Sequence, residues 1–161
     1  MSESQLNERY FVKCPYHLAQ QYLDYFLREA AQTKKPDVMT LRLPMANSEL
    51  TKKVDVTVSR SSDPMHFDHP WRLHWTPEGG GPYPDFDGEL TVRSDEDYTS
   101  AILELVGEYR PPGGPIGAAF DHIAGKRIAS TTAQVLLREI GDGMVAEYRR
   151  NETAKAERAR E

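Results

Sequence analysis

The spacing of apolar positions changes period along the chain, and each change marks a different element. Leu6, Tyr10 and Val12 share one side of an imperfectly alternating stretch, Leu6 to Lys13, which predicts a first strand. Pro15 then suits the first turn of a helix, where the N–H it lacks would have no intrahelical partner. Leu18, Tyr22, Tyr25, Phe26 and Ala30 recur at three- and four-residue steps and predict an amphipathic helix. Lys34, Lys35 and Pro36 end it, with cations at its C-terminus and a breaker after them.

The middle of the chain switches to a two-residue period. Val38 to Leu43 is a short strand stopped by Pro44. Val54, Val56 and Val58 alternate with Asp55, Thr57 and Ser59, the cleanest such pattern in the chain. Trp71, Leu73 and Trp75 alternate with Arg72, His74 and Thr76 in the same way. Phe86, Gly88, Leu90 and Val92 share a side, and Ser94 to Asp97 forms a polar turn. Ala101, Leu103, Leu105, Gly107 and Tyr109 then line one face of a last strand, with Ile102, Glu104, Val106 and Glu108 on the other. Short turns between these strands predict an antiparallel meander.

Pro111 to Pro115 redirects the backbone. Ile116, Phe120, Ile123, Ala124, Ile128, Thr131 and Val135 then follow at helical spacing, and Pro115 to Ile140 as a helix would reach about 39 Å. Gly141 and Gly143 are expected to stop or bend it. From Arg149 onward nearly every residue is charged or small. The expectation is one domain over residues 1–148 and a charged, frayed or disordered tail over 149–161.

Composition narrows the function classes. The chain has 161 residues and fits one domain, with a net charge of −5 that argues against nucleic acid as a partner. A single cysteine, Cys14, cannot form an internal disulfide, and the polar N-terminus lacks the apolar core of a signal peptide. No run approaches the roughly 18 apolar residues needed to cross a bilayer. A cytoplasmic protein that does not span a membrane is the expectation.

Strand, helix, antiparallel strands and one long terminal helix is the order of a helix-grip fold. Leu103 to Tyr109, followed by Pro111 to Gly114 and Gly117, resembles the last strand and helix start of the START-like superfamily. That group, also called SRPBCC, takes in polyketide cyclase/dehydratase-like and lipid-transfer proteins. The strand exit Val12-Lys13-Cys14-Pro15 resembles it too, and the likeness covers most of residues 5 to 143. Six strands are convincing where the superfamily has seven, and its short second helix is not obvious between Thr33 and Val38. Ser61 to Pro70 is the place for an irregular strand. The resemblance implies an α+β fold, a curved antiparallel sheet of six or seven strands wrapped around the C-terminal helix. It also implies a cavity between the two that holds an apolar or amphipathic small molecule or lipid.

The residues themselves point to the same hollow. Gly88, Ala101 and Gly107 are small residues on an inward face, where they leave room or curve the sheet. The candidate lining is Val56, Trp75, Leu90, Leu103, Leu105 and Tyr109 from the sheet. Phe120, Ile123, Arg127 and Thr131 join them from the helix. Trp71 and Trp75 could stack on a flat ligand, although sheet core is the commoner use of tryptophan at this spacing. Arg127 could bind a carboxylate, or snorkel at the stripe's edge. Thr131 and Thr132 could offer hydroxyls, or bond the carbonyl one turn back.

Other clusters carry less. His66, His69 and His74 with Asp63 and Asp68 lack metal-ligand spacing, because Pro64 and Pro70 interrupt them. No metal and no cofactor is expected. Glu78 to Pro82 lacks a phosphate-loop pattern and precedes a strand. Three functions follow in order: a carrier or binder of a hydrophobic small molecule or lipid; a cyclase or dehydratase using Arg127, Tyr109 or His74; and a non-catalytic module with a filled core, a homodimer through Ile102 and Val106.

Overall fold

Two-residue alternation builds six strands, and helical spacing builds the two segments that lie against them. The structure is a computed structural model that describes residues 4–32, 37–45, 48–60, 70–77, 83–111 and 122–160. The strands are β1 (Gln5–Val12), β2 (Asp37–Met45), β3 (Ser48–Arg60), β4 (Trp71–Pro77), β5 (Asp85–Ser94) and β6 (Ala101–Arg110). The helices are α1 (Tyr16–Gln32) and α2 (His122–Ala159). All six strands form one antiparallel sheet in the order β1-β6-β5-β4-β3-β2. Consecutive strands from β2 to β6 are neighbours, and β1 returns to pair with β6. Pro44 lies within β2 and does not end it, which an edge strand tolerates because one row of its N–H groups needs no ladder partner. The second short helix and the irregular strand sought at 33–38 and 61–70 fall largely outside the described residues.

Both helices cover the concave face. The buried stripe of α1 is Ala19, Leu23 and Leu27, one turn apart. The expected stripe was centred on the flanking aromatics, yet Tyr25 is 51% exposed. Tyr22 and Phe26 instead reach sideways to α2. Tyr22 meets Tyr148 edge-on at 6.2 Å, and the ring of Phe26 lies over Gly143.

Helix α2 overrides both the expected stop at Gly141–Gly143 and the expected frayed tail. It runs unbroken for 38 residues, about 57 Å. Each glycine serves close packing: a Cβ at Gly141 would stand 2.7 Å from the Tyr10 ring, and one at Gly143 2.6 Å from the Phe26 ring. The last turns carry Ala, Glu, Lys and Arg, all strong helix formers. Asn151 donates to the hydroxyl of Tyr22 at 2.9 Å, while Arg150–Glu147 and Lys155–Glu152 pair along the surface.

Glu104, on the outer face of β6, is 4% exposed. Arg9 and Arg93 close over it at 2.8 and 3.0 Å, so its carboxylate is buried beneath two guanidiniums. Phe11 and Val106 are exposed on this same outer side.

At one point the sheet is unusually tight. Gly88 and Gly107 are register partners, and a Cβ on Gly107 would stand 2.3 Å from the Asp87 carbonyl oxygen. A Cβ on Gly88 would stand 2.4 Å from the Val106 carbonyl oxygen. The Phe86 ring tip lies over both glycines, so the room expected there is occupied by a side chain.

Two ionisable groups are buried in the core. Burial pushes the Cys14 thiol up to about 11 and the Tyr83 phenol up to about 12. Both are neutral acids whose folded pKa exceeds the unfolded one, so their contribution is complete at low pH. It is lost as pH rises, from about 9 to 11 for Cys14 and from about 10 to 12 for Tyr83.

Two outcomes follow. Gly88→Ala and Gly107→Ala should each lower stability by about 1–3 kcal/mol in urea denaturation, because backbone atoms block the new methyl group. Gly143→Ala should cost less, since a ring can move aside and the helix gains roughly 1 kcal/mol in propensity. Melting temperature should fall above about pH 9, with Cys14→Ala flattening the lower part of the decline and Tyr83→Phe the upper part. Alkaline melting profiles that are the same for all three proteins would contradict these assignments.

Candidate functional site

The strand register assembles the inner face into rows. Val56, Trp75, Phe86 and Tyr109 are successive partners across β3, β4, β5 and β6. Trp75 and Phe86 stack at 4.3 Å with 18° between their planes, and neither is more than 1% exposed. The Trp75 indole N–H donates to the carbonyl oxygen of Pro84 at 3.1 Å, which fixes the ring's orientation. The next inner row is Leu73, Gly88, Gly107 and Leu6, and the one after it is Trp71, Leu90, Leu105 and Glu8. Val92, Leu103 and Tyr10 form another. The register therefore brings Val56, Trp75 and Tyr109 into one row, and Leu90 and Leu105 into a second.

The helical candidates divide. Thr131 is half-buried and Arg127 is exposed. Phe120 lies outside the described residues, and Ile123 is described only as part of the α2 backbone. The side chains of α2 that enter the core are Ile128, Ala129, Thr132, Ala133, Leu136, Leu137, Ile140 and Met144.

Polar groups enter this apolar layer from several sides, and from α1 Asp24 accepts the Trp71 indole N–H at 3.1 Å. Tyr83, just before β5, is 4% exposed and hydrogen-bonds Thr132, which is 1% exposed. Thr132 in turn donates to the Ile128 carbonyl oxygen at 2.7 Å. On the inner side of β1, Glu8 accepts from both Ser130 and Gln134 of α2.

Sequence patterning singled out neither Tyr83 nor Phe86 as a site residue. Tyr83 sits between Pro82 and Pro84 and has no periodic neighbours, so only tertiary structure gives it a partner. Phe86 was legible as core, but not that its ring covers two glycines. The three groups considered for catalysis are not brought together. Tyr109 is buried on the inner face, Arg127 is exposed, and His74 alternates with the buried Leu73 and Trp75 and faces outward. Cys14 is buried with its raised thiol, and its Sγ–H points to the Pro15 carbonyl oxygen at 3.6 Å. His66, His69 and Glu78 to Pro82 lie outside the described residues.

No protein-family model matches the chain, and no curated protein matches it. Solved structures do. A protein from Thermus thermophilus aligns over 89% of this chain and 98% of its own, with 11% identity and a TM-score of 0.54. A conserved protein from Geobacillus kaustophilus aligns over 91% and 95%, with 15% identity and a TM-score of 0.53. The Zhui aromatase/cyclase from a Streptomyces species aligns more loosely, over 91% and 93%, with 14% identity and a TM-score of 0.47. Among the described residues no helix is long and apolar enough to cross a membrane. A curved antiparallel sheet closed by a long C-terminal helix, shared over nearly the whole length of these structures, gives the chain a helix-grip fold.

Proposed function

We propose that the protein binds a hydrophobic or amphipathic small molecule, with lipids in that class, in the layer between the sheet and α2. The observation that carries this reading is the course of α2. It approaches β1 and β6 at one edge of the sheet and β2 at the other. Between those edges the described inner residues of β4 and β5 are Trp71, Leu73, Trp75, Phe86, Gly88, Leu90 and Val92, without a charged group.

Such a face suits an apolar ligand. Pockets for small molecules commonly hold roughly 300–1,000 Å³, are lined mainly by apolar and aromatic groups, and use few polar ones for orientation. The stacked Trp75–Phe86 pair offers a flat wall, and Tyr83 with Thr132 offers a buried polar point. The separation of Tyr109, Arg127 and His74 favours binding over acid-base chemistry, which needs its groups within reach of one reacting atom.

A second reading concerns the outer face. Phe11 pairs in register with Ile102, and Val106 is 43% exposed four residues further along β6. These side chains support a homodimer through the outer sheet. Size measurement by light scattering should then give twice the chain mass, and Val106→Lys should return it to one.

Native mass spectrometry of gently purified protein tests the main reading, with a copurifying small molecule as the expected result. Leu105→Trp should remove that molecule and leave the melting temperature nearly unchanged, because the added bulk enters ligand space. If instead no molecule is found and Leu105→Trp costs about 1–3 kcal/mol from overpacking, the interior is solid and the binding reading fails.

A further inference from the structure

We infer that the phenol oxygen of Tyr83 is the polar recognition point for that ligand, accepting a hydrogen bond from a hydroxyl or N–H group on an otherwise apolar molecule. The inference rests on the binding reading above and deepens it by naming the ligand's chemistry.

Proton accounting sets the direction of the bonds. A threonine hydroxyl has one proton, and that of Thr132 goes to the Ile128 carbonyl oxygen at 2.7 Å. In the bond between Tyr83 and Thr132, therefore, Thr132 accepts and Tyr83 donates. The order is Tyr83 O–H to Thr132 O–H to Ile128 C=O. A phenol oxygen that has given its proton still has acceptor capacity. Among the described residues, Thr132 is the only side chain bonded to it.

That leftover acceptor is fixed and shielded. Tyr83 is 4% exposed, and the carbonyl oxygen of its neighbour Pro84 is bonded to the Trp75 indole, so the backbone of Tyr83 is anchored one residue from the aromatic row. Chained hydrogen bonds polarise one another, which makes the terminal oxygen a better acceptor. Burial moves the phenol's titration still further above neutrality, so the hydroxyl keeps the proton it donates to Thr132. An oriented acceptor favours ligands with a donor and disfavours those that present only a lone pair, because two facing acceptors leave both unpaired.

The test uses three flat apolar probes of similar size: naphthalene, β-naphthol and the methyl ether of β-naphthol. Each is titrated into the full chain by calorimetry, with folding of each variant checked by its melting curve. β-Naphthol should bind about tenfold more tightly than its methyl ether. Tyr83→Phe should erase that preference, so that β-naphthol and its methyl ether bind alike. Thr132→Val frees the Tyr83 proton for donation, so it should raise the affinity of the methyl ether relative to β-naphthol. Equal binding of β-naphthol and its ether to the wild-type protein, with naphthalene also bound, would overturn the role of Tyr83 and leave the binding reading intact. Failure of all three probes to bind would count against both.

Discussion

Helix α2 is held to β1 by a carboxylate. Glu8 accepts from Ser130 and Gln134, which sit four residues apart and so share one face of the helix. Further along, Gly141 lets α2 settle onto the Tyr10 ring, and the Tyr10 hydroxyl donates to Asp142 at 3.0 Å. From Ser130 to Asp142 these contacts span about 18 Å of helix. Hydrogen bonds to a charged acceptor contribute more than neutral ones, roughly 1.5–3 kcal/mol each. Everything beneath α2 depends on this seating, since it sets how far the helix stands from the sheet's central strands.

Charge placement separates the two faces of the sheet. Glu104 points outward and is covered by Arg9 and Arg93, whose own side chains remain 62% and 64% exposed. Exposed guanidiniums gain little from such pairing, roughly 0–1 kcal/mol, so the arrangement serves chiefly to satisfy a carboxylate that burial would otherwise penalise. Removing the arginines would leave that charge uncompensated, which is the costly half of the pair. The inner face takes the opposite approach at β1: Glu8 is answered by neutral donors of α2 and stands at the sheet's edge. The inner-facing residues of β4 and β5 carry no charge.

Much of this was legible before any coordinates. The alternation of Val54 to Ser59, Trp71 to Thr76 and Ala101 to Tyr109 identified inner and outer faces because side chains on a strand alternate strictly. The exceptions have physical causes. Glu8 blurred the pattern of β1 because its hydrogen-bond donors come from a helix more than a hundred residues away. Gly141 and Gly143 read as stops because local propensity ignores the Tyr10 and Phe26 rings that require close approach. Residues after Arg149 read as disordered because they bury almost nothing, yet a helix already nucleated upstream extends at little cost through good helix formers. The stripe of α1 was misplaced because aromatic size is visible in a sequence and the direction of α2 is not.

The pair Tyr83-Pro84 joins these features. Through its hydroxyl Tyr83 reaches α2 at Thr132, and through its carbonyl oxygen Pro84 reaches β4 at Trp75. Two consecutive residues thus tie the helix to the aromatic row whose far end is Tyr109. Because the Trp75 ring stacks on Phe86, and Phe86 covers Gly88 and Gly107, a shift of the Tyr83 segment would be felt by the tightest point of the sheet. Packed interiors respond to such shifts by repacking between discrete arrangements more readily than by stretching. The polar pair and the aromatic row therefore act as one unit, and a ligand that engaged either would bear on the other.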